Sequence, residues 1–128
     1  MNYLLDTHLA VWSLTQSHRL GSNARALIED PANQSLISVI SIWEVAIKHA
    51  LRRPDFDIDP SVLRRTLGEA GFLELPVNGD HAVAVRSLPS FHKDPFDRLL
   101  LAQAMVEGIT LLTVDSILAK YPGPVRLV

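Results

Sequence analysis

Short apolar runs alternate with amphipathic stretches along this whole chain, and few folds accommodate that order. Residues 2–5 read as a short buried strand, followed by a helix running through Trp12 and Leu14. Ser22 can cap a second helix over residues 24–29, which Asp30-Pro31 ends. Residues 35–39 are apolar and strand-like, and the next helix carries Trp43, Ala46, Ile47, Ala50 and Leu51 as a single stripe. Asp59-Pro60 starts a helix near residues 62–67, since proline is well placed at a first helical position. Residues 72–77 form a short strand, and Asn78 can cap a helix over residues 82–88. Asp94-Pro95 opens a long helix to Glu107, with Gly108 as its stop signal. Residues 109–114 form a strand, a short helix follows Ser116, and residues 125–128 close the chain as a last strand. Strand–helix alternation with short apolar strands predicts a mostly parallel sheet of about five strands, covered by helices on both faces.

Bulk properties narrow the class. At 128 residues the chain is expected to form one domain over residues 1–128, burying roughly two thirds of the surface its unfolded form exposes. There is no cysteine, which excludes disulfides, thiolate metal sites and cysteine nucleophiles. A reducing cytoplasm is the expected compartment. The N-terminus reads directly into a strand rather than as a signal peptide, and no uncharged apolar run approaches the roughly 20 residues of a membrane span. The formal charge of −2 argues at first against a nucleic-acid partner. With four suspected site acids set aside, the 14 acidic residues fall to 10 against 12 bases, a balance of +2.

Those four acids are Asp6, Glu44, Asp97 and Asp115. Asp6 and Asp115 each close an apolar strand-like run, while Glu44 and Asp97 lie in the first turns of patterned helices. In an open parallel sheet the carboxyl ends of the strands share one edge, and ligands bind there. A like-charged pair about 4 Å apart costs roughly 4 kcal/mol at an intermediate dielectric, so such a cluster persists only by taking up protons or divalent cations. Each acid also has a structural explanation. Ser41-x-x-Glu44 is a formal capping box, and Glu44 precedes Lys48 by four residues, a good helix ion pair. Asp97 can complement a helix dipole, Asp115 can cap the short helix behind it, and Asp94 before Pro95 is foremost a cap. Asp6 is the acid least explained by structure.

The segments Leu4-Leu5-Asp6-Thr7-His8, Ser41-Ile42-Trp43-Glu44-Val45-Ala46, Asp94-Pro95-Phe96-Asp97-Arg98-Leu99-Leu100 with Ala102-Gln103-Ala104, and Thr113-Val114-Asp115 resemble PIN-domain ribonucleases. Within these they look most like the VapC toxins of prokaryotic toxin–antitoxin pairs. The likeness covers essentially the whole chain, in order; the first and third segments are the specific ones. By resemblance the family's four acids fall on Asp6, Glu44, Asp97 and Asp115, and Asp94 is an additional acid whose role stays open. The resemblance implies a three-layer α/β/α PIN-like fold and an endoribonuclease dependent on Mg²⁺ or Mn²⁺. It also implies a homodimer neutralised by a small antitoxin protein, with no membrane association.

Hard divalent cations want oxygen ligands, and Mg²⁺ takes one or two carboxylates plus waters and substrate phosphate. The expected ligands are Asp6 and Asp97, with Asp115 completing the shell directly or through water. Glu44 would orient or deprotonate the attacking water, or hold a second ion. Thr7, Ser41 and Thr113 are candidates to fix carboxylate rotamers, an ordinary backbone hydrogen bond being the plainer role for each. Of His8, His18, His49, His81 and His92, none shows paired metal spacing; most are expected at the surface, with His8 and His92 near the site segments. Asp55-Phe56-Asp57-Ile58-Asp59 begins like a calcium loop, but Pro60 and Thr66 stand where that loop needs glycine and a carboxylate. Lys48, Arg52, Arg53, Arg64 and Arg65 form a basic cluster that either contacts RNA phosphates or is a solvated helix face. Trp12 and Trp43 read as core or partner-facing residues. Two rivals share the fold class: a phospho-acceptor signalling domain, and a non-catalytic binding module. The first needs adjacent acids after the first strand, where this chain has Asp6-Thr7.

Overall fold

The computed structural model describes residues 1–128. Five strands, β1 Asn2–Leu5, β2 Gln34–Ser38, β3 Leu73–Leu75, β4 Thr110–Thr113 and β5 Val125–Leu127, form one sheet in the order β3-β2-β1-β4-β5. Every pairing is parallel. The helices are α1 Thr7–Thr15, α2 Ser22–Glu29, α3 Val39–Ala50, α4 Pro60–Glu69, α5 Gly79–Ala84 and α6 Pro95–Glu107. No helix is long and apolar enough to cross a membrane.

Alternation along β1 divides the core between the two faces of the sheet. Tyr3 and Leu5 point into one cluster with Leu9, Val11, Leu63, Leu67 and Leu112, which α1, α2 and α4 cover. Leu4 points the other way, against Leu100, Leu101, Leu111 and Tyr121, under α6. This is the three-layer α/β/α arrangement that the alternation of elements predicts. Helix α3 belongs to both layers, since Val45 enters the first cluster and Ile40 the second. It therefore spans the edge where the strands end. The chain builds β2 and β3 to one side of β1 and then crosses to β4 on the other, so the order of strand addition reverses between β1 and β4 while all strands stay parallel. Ligands of open parallel sheets bind outside the strand ends at such a reversal.

Several boundaries differ from the sequence expectation. Gly21, not Ser22, is the N-cap of α2, and Ser22 is its first residue. Helix α3 begins at Val39, three residues ahead of the position a Ser41 cap demands, because Ser38 Oγ accepts the Ile40 amide at 3.0 Å. Ser41-x-x-Glu44 is accordingly no capping box. The expected stripe of Trp43, Ala46, Ile47, Ala50 and Leu51 proves to be the outer face: Trp43 is 56% exposed, while Ile40, Ser41, Glu44 and Val45 are buried. Hydrophobicity misleads here because the inner face holds polar groups that are satisfied by partners from other elements. The helix expected over residues 82–88 starts earlier, at Gly79, and gives way to a 3₁₀ turn at Val85–Ser87. The last short helix is likewise a 3₁₀ turn, Leu118–Lys120.

Candidate active site

Asp6 follows β1 directly and does two things at once. It is the N-cap of α1, with Oδ1 accepting the Leu9 amide at 2.8 Å. Its Oδ2 accepts from the Thr113 hydroxyl at 2.7 Å and from the Val114 amide at 3.0 Å, at the end of β4. Asp6 therefore has a structural role that the sequence did not reveal: it laces the ends of the two central strands together. The carboxylate is buried. Burial pushes its pKa above the usual carboxylate range, although Leu9, Thr113 and Val114 all donate to it and pull the other way. Desolvation wins over hydrogen bonding.

Glu44 reaches the same edge from α3. Its Oε1 accepts the Thr7 hydroxyl at 2.6 Å, and Thr7 Oγ1 also lies 2.9 Å from Ser41 Oγ. Its Oε2 pairs with Lys48 one turn along. The lysine Nζ sits 4.9 Å from the centroid of the Phe56 ring and 5.6 Å from that of Phe96. Lys48 thus leaves the expected surface cluster and turns inward as the counter-charge of Glu44. Arg52, Arg53, Arg64 and Arg65 stay exposed, and Arg64 forks onto Glu74 at 2.6 and 3.0 Å, as a solvated face does.

The third part of the edge comes from the start of α6. Asp94 caps that helix, its Oδ1 accepting from Phe96 N at 2.8 Å and Asp97 N at 3.3 Å. Asp97, a turn further on, accepts no hydrogen bond from a backbone amide or a hydroxyl. Its Oδ2 lies 3.2 Å from His92 Nε2, which donates to Asp115 Oδ2 at 2.8 Å. Asp115 Oδ1 meanwhile accepts the Ile117 and Leu118 amides at 2.8 and 3.2 Å, so this acid does cap the short turn behind it.

The four carboxylates differ in how they are compensated. Burial would raise the Asp115 pKa, but the His92 hydrogen bond and the two amides outweigh it and hold the group below the usual range. Asp97 is pushed up to about 7, chiefly by burial and then by the nearby charges of Asp94, Glu44 and Asp6, with His92 pulling only weakly the other way. Asp97 feels all three neighbours, so it is the centre of the cluster. Asp6 and Asp97 are left wanting a proton or a cation. The donor set offered is carboxylate oxygen without thiolate, which suits a hard divalent ion.

All four acids expected from the sequence meet at this edge; the Thr7 hydroxyl holds Glu44, and that of Thr113 holds Asp6 while also accepting the Asp115 amide at 3.0 Å. The Glu44–Lys48 ion pair expected from their i to i+4 spacing is present, although the sequence also grouped Lys48 with the surface bases and placed His92 only near the site. His81, expected at the surface, is fully buried, its backbone N–H and ring joined to Asn78 in a capping box. Trp12 is half-buried with Arg19 stacked 4.1 Å over its ring. Strand β2 ends in Ser38 and carries no acid, which removes the arrangement a phospho-acceptor domain requires.

Because Asp94 binds two amides of α6, Asp94→Ala is expected to cost about 1 kcal/mol of stability. Thermal unfolding measures this, and RNA cleavage, which should persist, separates the cap from the site acids.

Comparison with known proteins agrees with this geometry. The model of the PIN domain family matches residues 3–124. Ribonuclease VapC22 of Mycobacterium tuberculosis is 32% identical over 127 residues, covering 97% of this chain and 96% of that protein. Among solved structures, VapBC2 from Rickettsia felis bound to a DNA fragment from its promoter superposes with a TM-score of 0.75 at 18% identity, covering 100% of this chain and 99% of the other. A toxin–antitoxin complex from Klebsiella pneumoniae gives a TM-score of 0.63 at 21% identity, covering 97% and 95%. Fold, position of the acid cluster and sequence likeness converge, and the chain belongs to the PIN domain family.

Proposed function

We propose that this protein is a divalent-metal-dependent endoribonuclease and the toxin of a toxin–antitoxin pair. The observation that carries the reading is the pair Asp6 and Asp97 at the strand-end edge: burial raises the pKa of both, and neither has a lysine or arginine partner as Glu44 does. Asp6 and Asp97 are the ligands of Mg²⁺ or Mn²⁺ in this reading. Asp115 would complete the shell directly or through water, with His92 holding its Oδ2 and two amides its Oδ1. When bound, such an ion supplies charge relief at the scissile phosphate and an acidified water. Glu44, held by Thr7 and Lys48, orients the attacking water and takes its proton. Lys48 holds the other oxygen of Glu44 and fixes the direction of its carboxylate.

The toxin assignment draws on the relative of 32% identity, which is named a ribonuclease, and on solved relatives described as toxin–antitoxin complexes. A small antitoxin is inferred as partner, laying an apolar segment against exposed side chains that flank the acids, such as Trp43 and Phe91. Homodimerisation and a cytoplasmic setting belong to the same reading. The deciding experiment is cleavage of RNA by purified protein. Turnover is expected with Mg²⁺ or Mn²⁺ and none in excess chelator; full activity in chelator overturns the metal mechanism. Growth arrest on expression, relieved by the adjacent reading frame, tests the toxin half.

A further inference from the structure

Residues 88–94 lead into α6 without regular structure, yet they are tied down closely. The Arg98 guanidinium donates to the carbonyls of Pro89 at 2.8 Å and Val85 at 3.3 Å, and to the Tyr121 hydroxyl at 3.0 Å. That hydroxyl accepts the His92 amide at 2.8 Å and lies 3.3 Å from the His92 carbonyl, to which it donates. The backbone of His92 is thus gripped on both sides by one tyrosine, itself part of the buried core. The ring is fixed as well. Asp94 N donates to His92 Nδ1 at 3.0 Å, so Nδ1 is an acceptor and carries no proton. In the neutral imidazole the proton then resides on Nε2, the atom that faces Asp115 and Asp97.

By distance alone His92, Asp97 and Asp115 look like a metal site, with one ligand atom from each lying within 4.8 Å of the others. The tautomer contradicts that. A ligating histidine binds through a bare nitrogen and donates its other N–H to a carboxylate, a carbonyl or water. Here the outer nitrogen faces an amide that itself donates, which is the wrong polarity for a ligand. We propose that His92 is a positioning residue: its Nε2–H holds Asp115 beside Asp97 at the spacing a divalent cation spans, and the imidazole never ligates the ion. The inference rests on the metal site proposed above and adds to it the residue that organises two of its acids. The single N–H lies closer to Asp115, at 2.8 Å, than to Asp97, at 3.2 Å.

Ring ¹⁵N spectra of the full chain decide the matter. Without metal, His92 should show protonated Nε2 and bare Nδ1, and titration with Mg²⁺ should leave that pattern in place. His92→Ala should weaken Mn²⁺ binding by roughly 10- to 100-fold, the usual loss when a group orienting a ligand is removed. His92→Gln, which keeps an N–H near the same point but offers no imidazole, should recover most of that loss and leave the ratio of Ni²⁺ to Mn²⁺ affinity unchanged. Loss of the Nε2 proton on adding Mg²⁺ overturns the proposal. So does a glutamine variant as weak as the alanine variant, with Ni²⁺ hit hardest as expected for a lost imidazole ligand. A wild-type protein that binds neither Mg²⁺ nor Mn²⁺ overturns the metal site itself, and the tautomer in the metal-free spectra then decides alone whether His92 is the donor.

Discussion

Asp97→Asn is expected to abolish metal-dependent RNA cleavage and, at pH 8, to raise the melting temperature of the metal-free protein. The two effects have one cause. Asp97 has no amide or hydroxyl donor of its own, is partly buried, and faces the charges of Asp94, Glu44 and Asp6. Its ionised form is therefore a liability to the fold that only a cation relieves. An asparagine keeps the shape, discards the repulsion and loses the ligand. A metal's stabilisation of the reacting phosphate amounts to several kcal/mol, which corresponds to roughly a 10³-fold fall in turnover. Asp6→Asn should behave differently. Asp6 accepts from Leu9, Thr113 and Val114, and an amide nitrogen in place of either oxygen faces at least one of those donors. That substitution should lose both cleavage and stability, a buried donor left without an acceptor costing about 1–3 kcal/mol. Calorimetry of both variants with and without Mg²⁺ gives the comparison. Equal destabilisation by the two would make Asp97 a structural acid and move the metal elsewhere.

What the sequence made legible was whatever depends on neighbours along the chain. Asp59, Asn78 and Asp94 cap the helices they precede, and Gly108 stops α6 with φ +67°, because each signal acts over a few residues. Asp6, Asp97 and Asp115 are legible as a set because strand ends and helix starts of a parallel sheet share an edge; Glu44, expected in a first turn, lies in the second turn of α3 and reaches that edge with its side chain. Less legible was what depends on contacts across the sheet. Ser38, not Ser41, caps α3, which turns Glu44 inward; the sequence offers two serines three residues apart and no local reason to prefer one. The orientation follows from Thr7, 37 residues away, whose hydroxyl donates to Glu44. The setting of His92 depends on Tyr121 and Asp115, 29 and 23 residues distant. Asp6 reads as unexplained by structure because two of its three ties, to Thr113 and Val114, run to residues 107 and 108 positions along. A capping role and a site role coexist in Asp6 and in Asp115, so weighing one against the other from sequence posed a choice the fold does not make.

Stability of the metal-free protein is expected to fall as pH rises from about 4 to about 7, the reverse of ordinary acid denaturation. The sign follows from Asp97, whose pKa stands at 3.8 unfolded and about 7 folded. Between those values the folded state binds the extra proton, so unfolding releases it and becomes easier as pH rises. The stabilisation from protonated Asp97 is fully present below pH 3.8 and is gone above about pH 7. A difference of this size is worth on the order of 4 kcal/mol, and Asp6, raised in the same direction, adds to it. Asp115 opposes the trend only at the acid end, because its depressed pKa withdraws stability as pH falls below the unfolded value of 3.8. A divalent ion competes with the proton for the same oxygens. Mg²⁺ should therefore shift the melting temperature little at pH 5 and strongly at pH 8, where a hundredfold excess over its dissociation constant contributes about 2.7 kcal/mol, or on the order of 10 °C for a domain of this size. Melting curves from pH 5 to 8, with Mg²⁺ or with chelator, read both halves. A metal-free protein that grows more stable across that range, or a Mg²⁺ shift independent of pH, would mean that the proton and the cation do not share Asp97.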